Sequence, residues 1–384
     1  MVSLGKLTVG HEEYYEREVA GGAEDYYAMR GEAQGEWVGS GSNVLGLDGV
    51  ATGGQLRDLL EGRDPSSGEV LRRSSVRVTG WDVTFSPPKS VSVLHAAGDA
   101  RVAAETLVAH RAAVRSALGW LESDACWTRR GAGGARRLVG EGFVGVEYVH
   151  RVSRAGDAQL HSHVVIGNLT RADGRWTTLD GQALYANLKT ASALYHAELR
   201  AEMTRRLGVQ WEPVAPGKLA SEIKGVPRAV LADQSRRHRE IVERMQDRGE
   251  SSPRAAQAAA LDTRKAKEYG LDGRDLAGEL RTRIAAMGLG RQELAAIIDR
   301  DHRERPEADA LARTSRQLLG PAGLTEHRST FSRRDAIQRW ARPTARASRP
   351  SESWRLPIGG SPSPRSSLSR LIRRRPAACQ ISCR

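Results

Sequence analysis

The stretch from Leu160 to Asn168, LHSHVVIGN, decides how this chain is read. Two histidines, one residue apart, run directly into Val-Val-Ile, a β-branched sequence that favours a strand. Side chains on a strand alternate between its two faces. His161 and His163 therefore share one face, with Cα atoms roughly 6–7 Å apart. Upstream, Phe143 to His150 (FVGVEYVH) reads as a second strand that ends in a histidine. The nine residues between, RVSRAGDAQ, contain Gly156-Asp157 and read as a hairpin connection. An antiparallel hairpin places His150 beside the pair. Three neutral imidazoles could then hold a divalent ion and leave positions open for a substrate oxygen. The plainer reading of H-x-H alone is two partly exposed strand histidines. The other seven histidines (His11, His95, His110, His196, His238, His302, His327) lie in helix-like or loop contexts and carry no assigned role.

Leu4 to Val9 reads as a short strand. Trp81 to Phe85 alternates like another and stops at Ser86-Pro87-Pro88, where Ser suits a helix cap and Pro a first turn. A short helix is expected over 56–63. A long one is expected over 99–122, with Leu107, Val114, Leu118 and Leu121 on one stripe. A third is expected over 188–207, stopped by Gly208. From about 227 to 300 the pattern is helical, charged and rich in Arg and Ala. No internal repeat is present.

The 384 residues are 39% hydrophobic with a mean hydropathy of −0.49, enough for a core. No apolar run approaches the roughly 20 residues of a membrane span, and MVSLGKLTVG lacks the apolar stretch of a signal peptide. A cytoplasmic protein without membrane insertion is expected. The net charge is +13, but residues 341–384 hold ten Arg against one Glu, leaving only +4 on the preceding 340 residues. Overall basicity is therefore a weak pointer to nucleic acid, and local chemistry must carry the argument. Cys126 reads as a buried small apolar residue. Cys379 and Cys383 form C-x3-C with no second pair, so neither a zinc site nor a disulfide is expected.

Tyr14-Tyr15 and Tyr26-Tyr27 are half of the eight tyrosines. Packing at a helix end is the structural alternative, but neighbours on a helix diverge by about 100°, so a doublet cannot bury both rings on one stripe. Each doublet also follows acidic residues. A phenol with a pKa near 10 is a poor nucleophile until a metal neutralises the scissile phosphate and a base takes the proton. Metal, phosphodiester and tyrosine together suggest transesterification.

The ordered motifs YY (14–15), EDYY (24–27), DVTFSPPKSVS (82–92), H-x10-H-S-H (150–163) and TASALYHAELRAEMTRRLGV (190–209) resemble the TrwC/TraI-type (MobF) conjugative relaxases of the HUH endonuclease superfamily. The likeness covers roughly residues 1–300. The stretch LLGPAGLTEHRSTFSRRDAIQRWA (318–341) looks like the entry to the helicase region of such proteins. The resemblance implies an α+β fold: a central antiparallel sheet carrying the histidines, flanked by helices, with helices near 227–300 closing over bound single-stranded DNA. It implies strand-specific nicking at a plasmid origin of transfer through a covalent 5′-phosphotyrosyl intermediate. Tyr14 would be the first nucleophile and Tyr26 the second, with Tyr15 and Tyr27 able to substitute or position. His150, His161 and His163 would bind Mg2+ or Mn2+, although three imidazoles also suit Zn2+. Asp82 would orient a metal-binding histidine or assist proton removal; a strand Asp bonded to nearby backbone is the alternative. Lys89, Arg129, Arg130, Arg136 and Arg137 could meet phosphates, or could form a solvated hairpin rim. The implied partners are single-stranded DNA at an origin of transfer and accessory relaxosome and conjugative secretion proteins.

The sequence departs from the family in the spacing of its doublets, which leaves open which tyrosine attacks. It also contains no G-x-x-x-x-G-K-[ST], so a chain stopping before the helicase half is expected. The organisation read from it is a nicking domain over 1–300, a linker remnant over 301–340, and a disordered basic tail over 341–384 with nine Ser and six Pro. The abrupt change there suggests a frameshifted continuation. Two rival readings stand beside the nicking enzyme. One is a truncated remnant that binds origin DNA without cutting it; the other is a hydrolase using the histidine site with structural tyrosines.

Overall fold

The computed structural model describes residues 1–8, 34–73, 75–153, 155–214, 218–252, 273–300 and 332–341, with isolated positions between 252 and 273. In chain order the main sheet is built from β1 (Val2–Thr8), β2 (Gly35–Val38), β3 (Val50–Ala51) and β4 (Val78–Phe85). Two ribbons of β5 (Trp127–Arg130) with β6 (Arg136–Val139) and of β9 (Thr170–Ala172) with β10 (Arg175–Thr177) flank it, and β7 (Gly145–Val152) and β8 (Ala158–Gly167) complete it. The sheet order is β1-β4-β8-β7-β2-β3, and every neighbouring pair is antiparallel. The fold is α+β, and the histidine strand β8 lies inside the sheet.

Alternation along these strands sorts the residues into two layers. Trp81, Val83, Phe85, Val164 and Ile166 face the main core. It is covered by α3 (Lys89–Ala97), α4 (Ala100–Ala125) and α5 (Gly181–Leu207), of which α4 and α5 pack closely along each other. The other face carries Leu7, Trp37, Val146, Tyr148 and Val165 under Leu56 and Leu59 of α2 (Gly53–Glu61), which follows a short α1 (Ser40–Val44). Glycine permits that contact. Gly80 and Gly167 are register partners on β4 and β8. A Cβ at Gly80 would lie 2.5 Å from the Ile166 carbonyl oxygen and 2.8 Å from Leu60, and one at Gly167 would lie 2.7 Å from Leu59. Smaller helices follow: α6 (Arg228–Asp233), α7 (Arg236–Asp247), α8 (Gly273–Ala286), α9 (Arg291–Ile297) and α10 (Arg333–Trp340). No helix among the described residues is long and apolar enough to cross a membrane.

The β7–β8 hairpin turns at Ser153–Asp157. Gly156 adopts φ 70°, its N–H meets Ser153 O at 3.0 Å, and Ser153 N–H meets Asp157 O at 2.9 Å. Asp157, 1% exposed, ties the tip to α7 by accepting from Arg236 Nε at 2.7 Å.

Several expected boundaries move; the strands shift by two or three residues at an end, to Val2–Thr8, Val78–Phe85, Gly145–Val152 and Ala158–Gly167, and the helix expected over 99–122 runs Ala100–Ala125. The helix expected from 188 begins at Gly181, because Asp180 supplies an N-cap that accepts from Gln182 N–H; its end at Gly208, with φ 61°, is as expected. The helix expected at 56–63 starts at Gly53 behind a reciprocal Thr52–Gln55 capping box. Ser86 does not cap α3. Pro88 holds the cap position without a side-chain bond, and the Ser86 N–H continues the strand by meeting Met1 O at 3.0 Å. Within 301–340, α10 packs on the main core: Gln338 donates to Thr190 at 2.8 Å, and Arg333 lies over Trp120. Residues 342–384 lie outside the described residues.

Candidate metal centre

The hairpin register sets His150 opposite His161 and Tyr148 opposite His163. All three histidines project from one sheet face. Their ring centroids form a nearly equilateral triangle of 5.0, 5.2 and 5.1 Å, and one ligand nitrogen from each lies within 4.8 Å of the others. His150 is buried and the other two are partly exposed, so the cluster opens to solvent on one side.

The rings are aimed from behind. Nδ1 of His163 lies 2.7 Å from Asp82 Oδ2 and 2.9 Å from Oδ1. Thr84, two residues along β4, donates to Asp82 Oδ1 at 3.2 Å and lies 3.3 Å from the same Nδ1. His161 Nδ1 donates to the Gln159 carbonyl at 2.8 Å. A ring that donates from Nδ1 keeps its lone pair on Nε2, the tautomer a cation needs. Burial, reinforced by the neighbouring His163, lowers the His161 pKa to about 3. At neutral pH that ring is an uncharged ligand, and the donor set fits a divalent cation.

Beneath the centre, Ser162 points into the core and donates to Glu147 Oε1 at 2.8 Å. His110 Nε2 therefore donates to Ser162 Oγ at 2.8 Å, and its Nδ1 accepts from the Tyr195 hydroxyl at 2.9 Å. All four residues are buried. Burial lowers His110 to about 3, raises Glu147 and pushes Tyr195 well above its usual value.

The residues singled out in the sequence divide into three groups. His150, His161, His163 and Asp82 come together. Tyr14, Tyr15, Tyr26 and Tyr27 lie outside the described residues. The basic residues are mostly committed to protein contacts: Arg129 to Asp180 at 3.0 Å, Arg137 over the Trp127 ring at 4.3 Å, and Arg130 to the carbonyls of Ala172 and Arg175. Arg136 is exposed. Lys89 bonds Ala158 O at 3.0 Å, and burial lowers its pKa to about 8. Cys126 is 1% exposed, with its thiol pushed up to about 11 by burial. The sequence does not single out Thr84 or Gln159: Thr84 stands two positions from Asp82 and so shares its face, whereas Gln159 acts through its backbone carbonyl, which no side-chain pattern marks.

The model of the TrwC relaxase family matches residues 9–287. A multifunctional conjugation protein TraI of Escherichia coli is 33% identical over 259 residues, which cover 64% of this chain but 14% of that protein; this chain thus matches a small part of that relative's length. A metal-bound structure of the conjugative relaxase TrwC in complex with oriT DNA is 30% identical. It covers 75% of this chain and 99% of its own, with a TM-score of 0.63. TrwC complexed with a 27-mer DNA comprising the recognition hairpin and the cleavage site matches at 31% identity with the same coverage and TM-score.

Proposed function

Because this chain belongs to the TrwC relaxase family, we propose that it nicks one DNA strand at an origin of transfer by metal-assisted tyrosine transesterification. The observation that carries this reading is the three ligand nitrogens of His150, His161 and His163, within 4.8 Å of one another on one sheet face. Three neutral imidazoles favour Mn2+ or Zn2+ over Mg2+, which prefers oxygen ligands. A cation held there would withdraw charge from the scissile phosphate.

The remaining chemistry belongs to the chain. The Tyr14 phenol oxygen attacks phosphorus, an O–P bond forms, and the bond from phosphorus to the 3′ oxygen breaks. The phenol gives up its proton to a base as it attacks, the departing 3′ oxygen takes one proton to become a hydroxyl, and the 5′ phosphate stays on tyrosine. One phosphodiester replaces another, so no external energy is needed. Tyr26 serves the second transfer, and Tyr15 and Tyr27 stand in reserve or position their neighbours. The family match spans all four. Asp82 takes the orienting role, since both its oxygens sit within hydrogen-bond distance of the same histidine nitrogen. The substrate is single-stranded origin DNA, presented by accessory relaxosome and secretion proteins.

The test is incubation of the chain with labelled single-stranded origin DNA and Mn2+. The expected product is a protein–DNA adduct that survives denaturation and disappears when EDTA is added first. Tight binding with neither cut nor adduct would support the non-cleaving remnant, and a cut without an adduct the plain hydrolase.

A further inference from the structure

β4 accompanies β8 only as far as the Phe85–Ser162 pair. Past that point the peptide groups of Ala158 and Leu160 face an edge with no strand on it among the described residues. Both residues are fully buried, and buried N–H and C=O groups need partners. Side chains supply them. Gln234 Oε1 accepts from Ala158 N–H at 2.8 Å, and Ser92 Oγ accepts from Leu160 N–H at 3.0 Å. Lys89 Nζ donates to Ala158 O at 3.0 Å and also to the Gln159 side-chain carbonyl.

Lys89 and Ser92 belong to the first turn of α3, which starts immediately after β4 ends. The Ser86-Pro87-Pro88 turn thus removes a strand and delivers its replacement. Ser90, between them, locks that turn: its N–H meets Glu222 at 2.8 Å, and its hydroxyl accepts from Ile223 N–H at 2.8 Å. The segment they grip includes Gln159, whose backbone carbonyl receives the Nδ1 proton of His161.

We propose that Lys89 and Ser92 are positioning residues for the histidine centre: they stand in for β4 along the Ala158–Leu160 edge and so fix the carbonyl that aims His161. The inference rests on reading the three histidines as metal ligands. Lys89 is thereby assigned to the protein side of the site rather than to DNA phosphate. Side chains that orient a ligand affect metal affinity roughly 10- to 100-fold when removed.

The experiment titrates the full chain with Mn2+ by calorimetry and records the electron paramagnetic resonance of added Cu2+, whose signal reports imidazole geometry. Thermal melting runs alongside. Lys89→Met and Ser92→Ala are expected to melt cooperatively, to bind Mn2+ about 10-fold more weakly or worse, and to give an altered Cu2+ signal. Lys89→Arg, which still donates to both acceptors, is expected to recover most of the affinity. Folded Lys89→Met and Ser92→Ala proteins with native Mn2+ affinity and a native Cu2+ signal would overturn the proposal. If Lys89→Met does not fold, Ser92→Ala decides alone. A native chain that binds neither ion, or a His161→Ala chain that binds Mn2+ like the native one, overturns the metal assignment itself, a separate result.

Discussion

Asp82 holds Nδ1 of His163 between both of its carboxylate oxygens, at 2.7 and 2.9 Å. The contact crosses from β4 to β8 and fixes both ring direction and tautomer. Asp82→Ala is expected to weaken Mn2+ binding roughly 10- to 100-fold, while Asp82→Asn, which can still accept one hydrogen bond, falls between. Calorimetric titration measures this. Equal affinity in the native and Ala proteins would remove Asp82 from the site.

The tyrosine doublets are to be separated by adduct formation. Tyr14→Phe deletes the attacking oxygen and is expected to lower adduct yield by about three orders of magnitude or more, with Mn2+ affinity unchanged. If the yield holds, and falls only when Tyr15→Phe is added, the second phenol of the doublet is the nucleophile. Mass spectrometry of the labelled peptide identifies the residue.

Acid is expected to destabilise the fold well before most carboxylates titrate. Burial lowers His110 to about 3 and His95 to about 4, and sends His196 in the same direction. An unfolded histidine titrates near 6.5, so below that pH the unfolded chain binds protons the native chain refuses. Stability is fully present above 6.5 and declines as pH falls toward about 4, by about 1.4 kcal/mol per pH unit for each fully engaged group. Glu147, which burial raises above the usual carboxylate value, opposes this: as pH falls through the window between its native and unfolded values the native chain takes the proton first. Denaturant midpoints at pH 7, 6, 5 and 4 read the slope; a flat profile contradicts it. His110→Gln is expected to make the profile shallower.

Gly80→Ala is expected to cost about 1–3 kcal/mol through overpacking, because the added methyl meets a backbone oxygen at 2.5 Å that cannot rotate away. Gly167→Ala first meets the Leu59 side chain, which can shift, and is expected to cost less. Thermal melting of the two variants gives the order, and a reversed order refutes the packing argument.

The histidine triangle could be read in the sequence because a hairpin reduces a three-dimensional site to two local rules, alternation and register. The spacing of His150, His161 and His163 contains both. Helix α5 showed its stop at Gly208, where a backbone conformation demands glycine, but not its start, which depends on Asp180 acting as a cap. The Ser86-Pro87-Pro88 turn was visible as a break, yet its purpose was not. Lys89 reads from the sequence as either a phosphate contact or part of a solvated rim, because nothing local reveals that β4 ends four residues short of the β8 terminus. The pairing of His110 with both Ser162 and Tyr195 joins segments 52 and 85 residues away from it, and no periodicity announces such a contact.

The place where β4 leaves β8 also divides the histidine strand by how its amide hydrogens meet deuterium. Val164 and Val165, flanked by strands on both sides, can exchange only when the whole sheet comes apart. Leu160, guarded by the Ser92 hydroxyl, can exchange through a small excursion of α3, and Ala158, guarded by Gln234, through one of the segment that follows α6. The hydrogen-bonding partner of His161, the Gln159 carbonyl, therefore lies within the readily exchanging end of the strand, a few residues from its slowest part. The ligand is anchored to the rigid centre at one end and open to adjustment at the other.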